Sequence, residues 1–144
     1  MLTRLNQLSW LCLLASLSLA SPLLTYAAEE QHPIDKVHEA CMAKDYSTYG
    51  MIKCSDQAEK KWDAELNKVY RALRSKLNRE GKKRLKKSQQ KWLKYRDSEF
   101  ETIATIYGAM GGTMWGVIAV GQRMEVVKQR VLILQGYLTA FIFP

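Results

Sequence analysis

Three kinds of residue in this chain could do chemistry: its cysteines, its histidines, and polar side chains that interrupt apolar helical stripes. The cysteines are Cys12, Cys41 and Cys54. Cys12 follows Trp10 and Leu11 deep in an apolar run, whereas a lipidated cysteine follows small residues, so lipidation is rejected and Cys12 belongs to a removable leader. Cys41 and Cys54 then remain as an even pair, and two thiols in an oxidising compartment are most simply one disulfide. A metal pair is the alternative, but His32 and His38 offer no ligand spacing that matches a zinc site. No nucleophile–base arrangement is visible, so no catalytic residue, metal site or cofactor is assigned, and the residues speak against an enzyme.

The polar intruders lie between Trp62 and Asp97, in WDAELNKVYRALRSKLNREGKKRLKKSQQKWLKYRD. Two amphipathic helical patterns flank a short break at Asn78-Arg79-Glu80-Gly81, which reads as a long antiparallel helical hairpin. A turn centred near residues 79 and 80 makes the numbers of facing residues sum to about 159. This register sets Asp63 beside Arg96, Asn67 beside Trp92 and Tyr70 beside Gln89. An arginine on a core-facing stripe needs a carboxylate, because an unpaired buried charge is costly. Asp63 is the first candidate and Glu59 the second. The Trp92 N–H could likewise find the Asn67 side chain. Such a set is either a ligand-binding polar pocket or a buried network that fixes helix register; satisfied interhelical networks are the common outcome.

The elements that must position these residues follow from apolar spacing. Pro33 suits the start of a short helix over 34–44, with Ile34, Val37, Ala40 and Cys41 on one stripe. Asp45-Tyr46-Ser47-Thr48 reads as a loop in which Ser47 or Thr48 is the candidate N-cap. A helix over 48–78 follows, roughly 45 Å long at 1.5 Å per residue. Met51, Cys54, Ala58, Trp62, Leu66, Val69, Leu73 and Leu77 recur along it every three or four residues. Beyond Gly81 a helix over 82–107 carries Leu85, Gln89, Trp92, Arg96, Phe100, Ile103 and Tyr107 on one stripe. A Gly-rich connection leads to a last helix over 114–137, with Trp115, Ile118, Gln122, Val126, Arg130 and Ile133 in series. The fold class is all-α: a small antiparallel helical bundle built on the hairpin, with one N-terminal disulfide.

The first residues read as a secretory leader. Arg4 precedes the apolar run LSWLCLLASLSL and then small residues, which gives a signal peptide over 1–27, cut after Ala27, with Ala20 as the other candidate. A retained membrane anchor is the competing reading; the run is short for a span and is soon followed by Pro22. The remaining domain, 28–144, is placed in the periplasm or outside the cell, with no transmembrane helix. Its charge is uneven. The chain carries a net +8, but between Arg71 and Lys94 eleven Lys or Arg stand against one acid, Glu80. That stretch holds +10, so the rest sums to −2. Lys82, Lys83, Lys86 and Lys87 at its centre are candidates for binding an anionic surface, or form a solvated helix face. Nucleic acid is attracted by such a patch but is not an expected partner outside the cytoplasm.

The hairpin resembles the N-terminal domain of the LprI-type lysozyme inhibitors, small secreted or lipid-anchored helical proteins. That family places two cysteines before a D-x-x-LN-x-x-Y segment and then a Q-x-x-W-x-x-[YF]-RD segment. Here these are Cys41 and Cys54, then Asp63, Leu66, Asn67 and Tyr70, then Gln89, Trp92, Tyr95, Arg96 and Asp97. Gly111-Gly112 and a late Arg130 also fit. The chain departs from the pattern where many members carry a further cysteine pair; Phe100 and a residue near Gln122 stand there. The resemblance implies a secreted or periplasmic binding protein that inhibits a lysozyme-like muramidase. The alternative is an envelope-associated interaction protein whose basic pole binds anionic surface groups. Charge bears on the choice. A basic lysozyme is repelled at long range by the +10 pole, so inhibition requires a surface elsewhere, such as the N-terminal helix or the Gly-rich connection.

Overall fold

The computed structural model describes residues 31–141. The leader read over residues 1–27, with Cys12, and the last three residues lie outside the described part. Four helices make up the fold: α1 (Pro33–Met42), α2 (Thr48–Lys76), α3 (Arg79–Gly108) and α4 (Met114–Thr139).

Each start is fixed by local chemistry. Pro33 opens α1, and His32 Nδ1 accepts a bond from the Ile34 N–H at 3.2 Å. Ser47 caps α2 by accepting from the Gly50 N–H at 3.0 Å, while Asp45 Oδ1 accepts from the Ser47 N–H at 2.9 Å. Hydrogen bonding from Ser47, its side chain first and its backbone N–H second, holds the exposed Asp45 carboxyl below the usual carboxylate range. Gly50 is buried beneath this turn; a Cβ there would overlap the Asp45 carboxyl.

The break between α2 and α3 falls earlier than the glycine suggests. Leu77 is extended, and Asn78 caps α3 by accepting from the Gly81 N–H at 2.9 Å. Gly81 therefore sits in the first turn of α3, where a Cβ would come 3.1 Å from Leu77 Cβ. The connection to α4 does need a glycine, since Gly112 has φ 98°.

The course of the chain is up, down, up. α2 and α3 are joined by the tight Leu77–Asn78 link, α3 and α4 run antiparallel, and α4 returns parallel to α2. The closest packing is between α2 and α4; α3 lies mainly against α4 and approaches α2 at few places. The core consequently forms along α2 and α4. Ala58, Trp62, Leu66, Val69 and Leu73 meet Met124, Val127, Val131 and Leu134, and α3 adds Leu85. Burying the Trp62 indole alone contributes on the order of 5 kcal/mol, taking about 200 Å² at 25 cal/mol per Å².

The stripe read on α2 is the buried one. That on α4 is rotated by about one residue: Ile133 and Gln122 face outward, and Val127, Val131 and Leu134 face the core. α4 is apolar on adjacent faces, as Val126-Val127 and Val131-Leu132-Ile133-Leu134 show, so spacing alone does not choose the inner one.

α1 runs back along α2. Cys41 and Cys54 form a disulfide across a sequence separation of 13. The His32 ring lies 4.3 Å from Trp62, and Lys128 of α4 pairs with Asp35 at 2.9 Å. Among the described residues no helix is long and apolar enough to cross a membrane.

Candidate functional site

The polar residues of the hairpin do not gather in one network, because α4 occupies much of the space that a two-helix register assigns to α2 and α3. Arg96 comes nearest to the expected arrangement. It projects between Trp92 and Phe100, its guanidinium carbon 5.6 Å and 5.8 Å from their ring centres, and its Nη1 is 3.9 Å from Asp63 Oδ1. Its short contact is to Asp97, at 2.6 Å, and its side chain stays a quarter exposed. Glu59, the second candidate for Arg96, instead pairs with Arg123 of α4 at 3.1 Å. Asn67 turns back along α2 to donate to the Asp63 carbonyl at 2.9 Å, rather than reaching Trp92. Gln89 accepts from Arg130 Nε at 3.1 Å, so it serves α4 and not Tyr70. Tyr70 packs half-buried against the core.

Three surfaces result. The first is an open polar groove of about 370 Å³ lined by Glu59, Lys60, Asp63, Arg96, Phe100 and Val127. Beside it, Arg123 rests over the Phe100 ring at 4.7 Å. Among the described residues the atoms Glu59 Oε2, Arg123 Nε and Trp62 Nε1 are buried without a hydrogen-bond partner. The groove mixes two acids with cations and offers no net charge to a ligand.

The second surface is the basic pole where α2 ends and α3 begins. All eleven Lys and Arg from Arg71 to Lys94 are exposed, Lys82, Lys83, Lys86 and Lys87 among them. Arg84 pairs with Glu80, the one acid of the stretch, at 2.9 Å.

The third lies at the opposite end, where the start of α2 meets the α3–α4 connection. Here Tyr107 and Trp115 stack with centroids 5.9 Å apart, flanking an open groove of about 460 Å³ that Ile52, Met110 and Ala119 also line. Tyr46, Tyr49, Ile106 and Met114, close in sequence to the groove's lining residues, are exposed. Large aromatic and methionine side chains gathered on one surface are characteristic of protein interfaces rather than of free surface.

Residues that the sequence left unremarked join these parts. Arg123 and Lys128 tie α4 to Glu59 and Asp35, and each pair bridges more than sixty positions of sequence. The parallel packing of α4 on α2 brings the first pair together, and the docking of α1 back along α2 brings the second. Charge periodicity on α4 was the available signal, with Arg123, Lys128 and Arg130 clustered in a helix otherwise short of cations. Among the described residues no three His, Cys, Asp or Glu side chains come together as a metal site.

A family model described as lysozyme inhibitor LprI matches residues 40–134. No curated protein matches. Among solved structures, the crystal structure of an uncharacterised protein from Burkholderia thailandensis is similar, with 28% identity and a TM-score of 0.74. The match covers 79% of this chain and 57% of that one, so this chain spans a little over half the length of its solved relative.

Proposed function

The chain belongs to the lysozyme inhibitor LprI family, and from that premise we propose that it binds and inhibits a lysozyme-like muramidase outside the cytoplasm, after removal of residues 1–27. The observation that carries the reading is the separation of its two poles. The aromatic groove of Tyr107 and Trp115 lies at the end of the bundle away from the cations between Arg71 and Lys94. A basic enzyme approaching the cationic end is repelled; the same enzyme meets uncharged, partly apolar surface at the other end. An exposed Met and Tyr rim around a groove suits a partner's protruding side chain, and such aromatic anchors dominate binding energy when a partner covers them. The paired Cys41 and Cys54 fit an oxidising compartment.

The test is a panel of muramidases of different types, each assayed for cell-wall lysis with and without the protein. Inhibition of at least one is expected, and Trp115→Ala should weaken it at least tenfold, the order that one aromatic anchor carries. A panel entirely unaffected by the protein refutes the proposal.

A second reading is favoured by one observation, that all eleven cations at the basic pole are exposed. These suit retention on an anionic envelope surface, each contributing on the order of 1 kcal/mol near such a surface. Replacing Lys82, Lys83, Lys86 and Lys87 with Gln should release the protein from anionic vesicles, and added salt should do the same. Retention unchanged by both treatments leaves a solvated helix face.

A further inference from the structure

We propose that the groove between α3 and α4 is an oxyanion-binding site anchored by Arg130, taking a ligand that carries a carboxylate or a phosphoryl group. The inference is independent of the muramidase reading and concerns a different surface. The inward-pointing cations differ in what they pair with. Arg123 has Glu59 at 3.1 Å, Lys128 has Asp35 at 2.9 Å, and Arg96 has Asp97 at 2.6 Å. Arg130 is more deeply buried than any of these, at 8% exposure, yet its bonds go to neutral groups. Its Nε donates to Gln89 Oε1 and its Nη2 to Ser88 Oγ, each at 3.1 Å. Among the described residues no carboxylate stands within ion-pair distance of it. A guanidinium has five N–H donors and keeps its charge in proteins, so these two bonds leave donors and a full charge to be met.

The surroundings suit an anion. Arg130 lines an open groove of about 320 Å³ whose walls include Trp92, Tyr95 and Ile133. The Trp92 ring centre is 5.9 Å from the guanidinium carbon. Such walls lower the local dielectric and strengthen a charge-assisted bond to an oxyanion, which a guanidinium can receive on two parallel N–H groups. The groove has the size of a small-ligand site. One acid, Glu125, also lines the groove, and its Oε1 accepts from Gln129 along α4. Lys91 and Lys94, exposed on α3 beside the groove, raise the local concentration of anions. Ser88 and Gln89 fix the guanidinium plane before any ligand arrives, which is the preorganisation that such a site requires.

The probes are inorganic phosphate and acetate, with sodium chloride at matched ionic strength as the control. Two readouts are followed: the Arg130 Nε–Hε resonance of isotopically labelled protein, and the melting temperature. Phosphate, acetate or both should move the resonance saturably and raise Tm by roughly 5 °C at about ten times Kd. A response to phosphate alone assigns a phosphoryl ligand, and a response to acetate alone a carboxylate. Arg130→Met should abolish the Tm response. That variant should still fold, because the side chains that Arg130 bonds are neutral and Ser88 is exposed, so its loss strands no charge. The proposal is overturned if neither anion exceeds chloride, or if the response survives in Arg130→Met. Should Arg130→Met not fold, titration of the unaltered protein decides. Shifts confined to Lys82, Lys83, Lys86 and Lys87, with Arg130 unmoved, overturn the site.

Discussion

Replacing Cys41 and Cys54 together with Ala should undock α1 and leave the other three helices folded. The disulfide closes a sequence separation of 13, worth about 3 kcal/mol in the chain-entropy model. Against that stands what else holds α1. The helix has ten residues and none of them is buried. Isolated helices shorter than roughly 12–15 residues are marginal in water, so α1 depends on its docking. Its other tethers include Ile34, packed against the core, the Asp35–Lys128 pair at 2.9 Å, the His32 ring against Trp62 at 4.3 Å, and His38 Nε2 with Ser55 Oγ at 3.2 Å. Each contributes on the order of 1 kcal/mol. Ordering the α1 backbone opposes them with about 1–2 kcal/mol per residue before its own hydrogen bonds are counted. Removing about 3 kcal/mol corresponds to a factor on the order of a hundred in the opening equilibrium. Amide hydrogen exchange over Pro33–Met42 should therefore accelerate about a hundredfold, while the buried segments of α2 and α4 exchange as before. Protection of α1 equal to that of α4 in the Cys-free protein would refute the reasoning, and so would simultaneous loss of protection everywhere.

Two further predictions separate the helices by role. Leu134→Ala should cost about 2–5 kcal/mol, since Leu134 is fully buried, whereas Leu132→Ala, on an exposed position, should stay within about 0.5 kcal/mol; urea unfolding of both variants checks the facing of α4. Arg96→Ala should cost only about 1 kcal/mol, because its Asp63 partner is half exposed and the pair spans 3.9 Å. A loss of several kcal/mol relative to Lys94→Ala would show that Arg96 acts as a buried ion pair after all.

How much of this was legible in the sequence depends on the helix. α2 has apolar residues on one side and charges on the other, so its inner face was fixed by spacing, from Cys54 to Leu73. The α2 cap was narrowed to Ser47 or Thr48, of which Ser47 is the one that caps, and the disulfide followed from two cysteines and an export leader. α4 was not legible to the same degree. Its apolar residues surround it, and the choice between Ile133 and Leu134 as the inward residue comes from packing on α2. That same packing explains why the hairpin register failed beyond Asp63 and Arg96. A sum rule for two helices has no place for a third that takes the shared face, and so Glu59 and Gln89 found α4 arginines as partners. The break at Leu77–Asn78 was misplaced because Gly81, a helix breaker by propensity, here makes room for Leu77 inside the first turn. The Tyr107–Trp115 groove joins the ends of two helices across a connection, a proximity that no periodicity encodes.

The most direct test of muramidase binding through the aromatic end is the equilibrium affinity for a basic lysozyme at two ionic strengths, measured for the unaltered protein and for Trp115→Ala. Repulsion from the basic pole is screened as salt rises, so binding should hold or tighten with salt and should weaken at least tenfold on Trp115→Ala. Binding that weakens as salt is added, and is indifferent to Trp115, would place the contact on the charged pole and contradict the account.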